Sequence, residues 1–158
     1  MLQQFKIRFA SLSDAPDIMS FIKTYWSENH ILAKNFEFFN YQYTNNKKLN
    51  FVISLNENNS IVGILGFIEY FPAQSSQDIA LALWKVQPNL SDPFLGIKLI
   101  NFLNDELNPS NIHCVGISED TIPIHKYLKF KTGKLDHFAA FNKNCKKFEI
   151  SEPPEQIK

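Results

Sequence analysis

Apolar and polar residues alternate over "FKIRFA", which predicts a strand from Phe5 to Ala10. In "SLSDAPDIMSFIKTYW" the period changes. Ile18, Phe21, Ile22 and Tyr25 fall on one helical face, Ser13 is placed to cap, and Asp14 and Asp17 suit the positive end of the first turn. "NHILAKNFEFFNYQY" predicts a second helix or helical turn. "LNFVISL" and "SIVGILGFIEYF" read as strands joined by a hairpin turn at "NENN". "DIALALWKVQP" is nearly continuous in apolar residues, the pattern of a strand buried on both faces.

Leu95, Leu99, Phe102, Leu103 and Leu107 then define another amphipathic helix, with Asp92 as its expected cap and Pro93 at its first position. "IHCVGIS" predicts a strand, "TIPIHKYLKF" a short helix and "GKLDHFAAFN" a closing strand. The resulting order is β-α-α-β-β-β-α-β-α-β. Tight turns among the middle strands require antiparallel pairing, and the later strand-helix-strand requires a parallel crossover. The expected fold is α/β (α+β), with a mixed, mostly antiparallel central sheet and helices on both faces. A crevice is expected where neighbouring parallel strands diverge.

Composition narrows the function classes. A chain of 158 residues suits one domain, here residues 1–145, followed by a polar tail or linker at 146–158. The formal charge is zero, from 16 Lys+Arg and 16 Asp+Glu, and no basic stripe is present, so nucleic acid and membrane surfaces are not expected partners. The opening "MLQQFKIRFA" lacks the features of a signal peptide, and no apolar run is long enough to span a bilayer. Cys114 and Cys145 have no metal-like spacing with His, which suits idle thiols in a reducing compartment, the cytoplasm. No metal site is expected.

Several stretches, in order, resemble the GCN5-related N-acetyltransferase family. "IRFASLSDAPDI" is similar to that family's start: an Arg, an Ala two residues on, then an Asp four further. "LWKVQP" resembles the family's fourth strand, which ends Val-x-Pro. "FLGIKLINFL" resembles the end of the cofactor loop and the helix behind it, and "TIPIHKYLKF" the short helix of the Tyr-x-x-x-Gly-Phe pattern. The likeness runs from Lys6 to about Asn142. "YWSENHILAKNFEFFNYQY" further resembles the branch acting near sugar and surface-polysaccharide biosynthesis, some of whose members carry a second, related half.

The resemblance implies an acyl-CoA N-acyltransferase-like fold. It also implies transfer of an acyl group from acetyl-CoA, or another acyl-CoA, to a small-molecule amine such as an amino sugar or nucleotide sugar. The pantetheine arm would lie along the strand near Trp84 and Val86. The diphosphate would meet backbone N–H groups at Leu95, Gly96, Ile97 and Lys98. His125 stands where the family has a Tyr that protonates the leaving thiolate, and an imidazole can also donate a proton near neutral pH. Lys129 stands where the family has Gly. Glu69 and Asp78 flank the "YFPAQSSQ" loop, and Glu69 is the candidate base. Trp26, His30 and Tyr41 offer aromatic and polar groups for an acceptor. His113 and His137 read as strand residues, and Lys126, Lys129 and Lys131 as a solvated basic face.

The cofactor loop departs from the family pattern. The family reads Gln/Arg-x-x-Gly-x-Gly; here Ser91, Phe94 and Gly96 fill those places, and Asp92 lies between. One reading is a modified loop in which Lys98 compensates the lost charge. The other is an ordinary helix capped by Asp92. An enzyme and a degenerate binding domain, the first half of something larger or a homodimer, both remain open on this sequence.

Overall fold

The computed structural model describes residues 5–45, 47–70 and 77–136. The chain forms two compact units, Met1–Gly116 and Ile117–Lys158.

The first unit holds a five-stranded sheet. Its strands are β1 (Lys6–Phe9), β4 (Phe51–Leu55), β5 (Ile61–Tyr70), β6 (Asp78–Val86) and β7 (Asn111–Cys114), side by side in that order. A small antiparallel pair, β2 (Thr44–Asn45) and β3 (Lys48–Leu49), stands apart. All neighbours in the main sheet are antiparallel except β6 and β7. The short β4–β5 turn fixes the first arrangement, with Asn59 at φ 58°. Helix α4 (Leu95–Leu107), crossing over between β6 and β7, fixes the second.

The chain enters its first helix through a charged corner. Both guanidinium nitrogens of Arg8 donate to the Asp14 carboxylate at 2.8 Å. Asp14 also accepts the Ser11 N–H at 2.7 Å. Ser11 caps a 3₁₀ turn, Leu12–Asp14, and Asp14 is the N-cap of α1 (Ala15–Tyr25). Ser13 therefore does not cap; its hydroxyl meets that of Ser11 at 2.8 Å. The "NHILAKNFEFFNYQY" segment forms two helices, α2 (Ile31–Lys34) and α3 (Phe36–Tyr43). Asn35 separates them with extended backbone, and its side chain accepts the Phe38 N–H at 2.9 Å. A short polar side chain that can bond the backbone favours such a break.

One sheet face carries α1 and α3. There Ile18, Phe21 and Ile22 of α1 and Phe39 and Tyr43 of α3 pack with Phe51, Ile53, Ile64 and Leu83. Gly66 lies under this layer because a Cβ there would come within 2.8 Å of the Phe51 ring. The other face carries α4, whose Leu95, Leu99, Ile100 and Leu103 are buried. Phe102 packs edge-on against Phe9, and Phe9 against Phe67. Helices on both faces of a mostly antiparallel sheet are as the sequence pattern predicts.

Strand β6 departs from its expectation of burial on both faces. Ile79, Leu81 and Leu83 are buried, while Asp78, Ala80 and Ala82 are not. Its small and charged side chains lie on positions that no helix fully covers, so it behaves as a half-buried strand.

The second unit contains a 3₁₀ turn, Glu119–Thr121, followed by α5 (Ile122–Tyr127). The described part of the expected closing strand, Gly133–Asp136, is not a strand, and the rest of it lies outside the described residues.

Candidate functional site

The distinctive feature of the sheet is where β6 and β7 part. They pair in parallel from Asp78/Asn111 to Leu81/Cys114 and no further. The next residue of β6 is Ala82, skipped by the β5 register, which passes from Gly66↔Leu83 to Phe67↔Leu81. A one-residue bulge therefore coincides with the point of divergence, a device that bends a strand and ends pairing. Beyond it, β6 runs on for residues 82–86 with β5 on one side and, among the described residues, no strand on the other.

The last register contact fixes which groups face that edge. The Gln87 N–H donates to the Val62 carbonyl at 2.8 Å, so Gln87 turns its backbone toward β5. Alternation turns Val86 and Trp84 the other way, toward the divergence. An extended ligand can add to such an edge by main-chain hydrogen bonds.

The Trp84 side chain is committed elsewhere. Its Nε1–H donates to the Gly96 carbonyl at 3.1 Å, and a Cβ at Gly96 would come within 3.1 Å of the ring. Gly96 thus has a packing reason to be glycine, the close approach of an indole to the first turn of α4.

Helix α4 begins later than its sequence signals suggest. Its N-cap is Phe94, at φ −97° and ψ 4°, and its first residue is Leu95. Pro93 lies before the helix. Phe94 does not adopt a glycine-only conformation, so its side chain brings no backbone strain. Asp92 still serves the helix end: its Oδ1 accepts the Phe94 N–H at 3.0 Å and its carbonyl the Leu95 N–H at 3.4 Å. Its Oδ2 accepts from Lys98 Nζ at 2.6 Å. The Lys98 ammonium, and after it the Phe94 N–H, hold the Asp92 carboxyl below the usual carboxylate range.

Of the four residues expected to meet a diphosphate, two are therefore already engaged. Leu95 gives its N–H to the Asp92 carbonyl, and Lys98 gives its N–H to the Phe94 carbonyl at 3.0 Å and its charge to the Asp92 carboxylate. Gly96 and Ile97 keep first-turn N–H groups that the helix cannot satisfy internally. The β6 edge fits an acyl-pantetheine arm; the anion-binding end fits only if Asp92 yields.

The candidate base, Glu69, lies on β5 opposite Ile79. Both carboxylate oxygens are in use: Oε2 accepts from Asn45 at 3.3 Å and Oε1 from Gln77 at 2.9 Å. Asp78 accepts from the Asn111 amide at 2.9 Å. Trp26 and His30 come together edge to face at 5.9 Å, at the end of α1. His30 is also the N-cap of α2, its Nδ1 accepting the Leu32 N–H at 3.2 Å. Tyr41 projects from α3 and is 86% exposed. A separate groove of about 290 Å³ lies between α1 and the β4–β5 turn, lined by Asp17, Ser20, Thr24, Tyr25 and Ser60 among others.

In the second unit, His125 is buried, 3% exposed. Its Nδ1 lies 2.8 Å from the Thr121 carbonyl and so must donate. The ring meets Phe130 edge-on at 5.5 Å. To act as an acid it must carry a second proton, on Nε2. Lys129 has φ 64°, the left-handed conformation that the family pattern assigns to Gly, and the Phe130 N–H closes the turn on the His125 carbonyl at 2.9 Å.

Sequence reasoning read His113 as a strand residue, which it is, and gave neither it nor Tyr70 a part in the site. The rings stack at 5.8 Å and 29°, Tyr70 from β5 opposite Asp78 and His113 from β7 opposite Ala80, diagonally across β6. The contact spans three strands and leaves no local motif.

No protein-family profile and no curated protein matches the sequence. Solved structures do match the fold. An aminoglycoside N-acetyltransferase in complex with CoA aligns at a TM-score of 0.64 with 14% identity, covering 92% of this chain and 98% of that one. The fold is that of the GCN5-related N-acetyltransferases. A ribosomal-protein-alanine N-acetyltransferase from Brucella melitensis biovar Abortus 2308 aligns at a TM-score of 0.62 with 14% identity, over 87% of this chain and all of that one. An aminoglycoside acetyltransferase from an uncultured soil metagenomic sample, in complex with sisomicin, aligns at 0.63 with 20% identity, over 88% and 97%. Among the described residues no helix is long and apolar enough to cross a membrane, and no group of three or more His, Cys, Asp or Glu side chains is placed to hold a metal ion.

Proposed function

We propose that this chain is an acyl-CoA-dependent N-acyltransferase, with acetyl-CoA as donor and an amine as acceptor. The observation that carries this reading is the parting of β6 from β7 immediately after Leu81 and Cys114, at the Ala82 bulge. A thioester arm laid along the β6 edge bonds to backbone groups of Val86 and Trp84. The N–H groups of Gly96 and Ile97 supply the positive end of α4 to a diphosphate. The acceptor amine, deprotonated, attacks the thioester carbonyl directly, and the thiolate leaves. The thiolate takes up a proton as it leaves.

For the acceptor we propose an amino sugar. Two of the aligned structures are named for aminoglycosides, and one of these contains sisomicin. On this chain the Trp26–His30 pair offers an apolar ring face beside polar nitrogen, and Tyr41 an exposed phenol, groups suited to a sugar ring.

The Asp92 contacts favour a second reading, a retained fold without turnover. Calorimetric titration with acetyl-CoA separates the two. Saturable binding, with thiol release when sisomicin or a nucleotide-linked amino sugar is added, supports the transferase. Absence of binding at millimolar acetyl-CoA leaves the interaction domain.

A further inference from the structure

We propose that His113 takes the proton from the acceptor amine, held in place by Tyr70; the assignment rests on the acyltransferase reading above. His113 is the penultimate residue of β7, opposite Ala80 and one residue before the Leu81/Cys114 pair at which the strands part. It therefore stands at the rim of the divergence, about 6.5 Å along the strand direction from the Ala82 bulge at two residues' rise.

The face it occupies follows from register. Phe67 packs with Phe9 beneath α4, and Leu81 lies opposite Phe67, so Leu81 faces α4. Ala80 and its partner His113 then project from the other face, away from the helix whose first turn would receive a diphosphate. A proton acceptor is useful on that side, because an amine must reach the thioester without crossing the coenzyme.

Tyr70 stands opposite Asp78 and His113 opposite Ala80, so the two rings meet diagonally across β6 on one face. The His113 residue is exposed and Tyr70 is 47% exposed, so the pair is accessible to an acceptor. Among the described residues the His113 ring makes this contact and no hydrogen bond. Glu69, by contrast, already accepts from two amides. Among the described residues of the strands flanking His113, the titratable side chains on this face are Tyr70 of β5 and Asp78 of β6, and the Asp78 carboxylate accepts from the Asn111 amide.

The chemistry balances without a further reactant. An imidazole nitrogen accepts one N–H proton as the amine nitrogen bonds to the acyl carbon. The carbon–sulfur bond breaks, the thiolate leaves with the electron pair and is protonated, and the imidazolium returns its proton to solvent. An imidazole changes charge between about pH 5 and 8, which suits this role near neutrality.

The test compares the wild-type chain with His113→Gln and Tyr70→Phe. Acetyl-CoA binding is measured by calorimetry, histidine ring signals by nitrogen-15 NMR, and thiol release with sisomicin from pH 5.5 to 9. The expected result is equal acetyl-CoA affinity in all three and a His113 ring signal that moves when acetyl-CoA is added. Release should be about 100-fold slower in His113→Gln, with the acid limb of the pH profile removed. Tyr70→Ala, measured beside these, removes the stack and should slow release several-fold, and Tyr70→Phe, which restores the stacked ring, should recover the rate. Binding of acetyl-CoA with an unmoved His113 signal, or an unchanged rate and profile in His113→Gln, overturns the assignment and leaves the acyltransferase reading standing. Failure of acetyl-CoA to bind removes both.

Discussion

Asp92 and Lys98 form a 2.6 Å ion pair across the first turn of α4. The pair sets a carboxylate at the turn where the proposed diphosphate would sit. It also neutralises the nearest lysine. Replacing Asp92 with Asn keeps the side chain's shape and its acceptor oxygen for the Phe94 N–H, but removes the charge and frees Lys98. Acetyl-CoA affinity should then rise about tenfold, roughly 1.4 kcal/mol, measured calorimetrically at low salt. An unchanged or weaker affinity would show that the diphosphate does not approach this turn.

The Arg8–Asp14 corner ties the first strand to the first helix with two parallel hydrogen bonds of 2.8 Å. The Arg8 guanidinium holds the Asp14 carboxyl well below the usual carboxylate range, and the Ser11 contacts act in the same direction. A folded-state pKa lowered in this way adds stability above the unfolded value, which is lost as pH falls through and below it. Asp14→Asn should cost about 2 kcal/mol at pH 7. The gap between the urea midpoints of wild type and variant should narrow steadily from pH 4 to pH 2.5 without closing, because the folded carboxyl titrates lower still; a constant difference across that range would remove the ionic origin.

Ser54 is fully buried on β4, and among the described residues its hydroxyl has no hydrogen-bond partner. A buried hydroxyl without a partner carries a desolvation cost that no bond repays. Ser54→Ala should leave stability unchanged or raise it by about 1 kcal/mol in chemical denaturation. A clear loss would indicate a partner, such as a bound water.

Lys129 holds a left-handed backbone at the end of α5. That conformation costs a side-chain-bearing residue roughly 1–2 kcal/mol. Lys129→Gly should raise the melting temperature by a few degrees, the glycine's greater freedom in the unfolded chain offsetting part of the gain. No change would mean that Lys129 makes a compensating contact.

How much was legible in the sequence depended on the range of each signal. Local periodicity placed Ile18, Phe21 and Ile22 on one buried face, and Leu95, Leu99 and Leu103 on another, because a helix repeats over a few residues. The Arg8–Asp14 spacing was visible in the family pattern, although only coordinates give it a reason. The start of α4 was misplaced because Asp92-Pro93 carries strong cap signals, and Asp92 spends them on the Phe94 N–H just outside the helix. Gly96 read as part of a phosphate loop because nothing local announces that Trp84 lies against it. Tyr70 and His113 were invisible as a pair, since their meeting depends on the register of three strands.

The extra residue at Ala82 has a consequence for how this protein can change. It reverses the phase of the strand, so that Leu83 enters the layer under α1 while Trp84 meets α4. Deleting it would leave Leu83 opposite Gly66 and Trp84 opposite Leu65, each in the layer it already occupies, and would remove only the bend. The mouth between the strands therefore hangs on one residue that neither packed layer needs. A lineage could straighten the strand by a single deletion without repacking either side of the sheet.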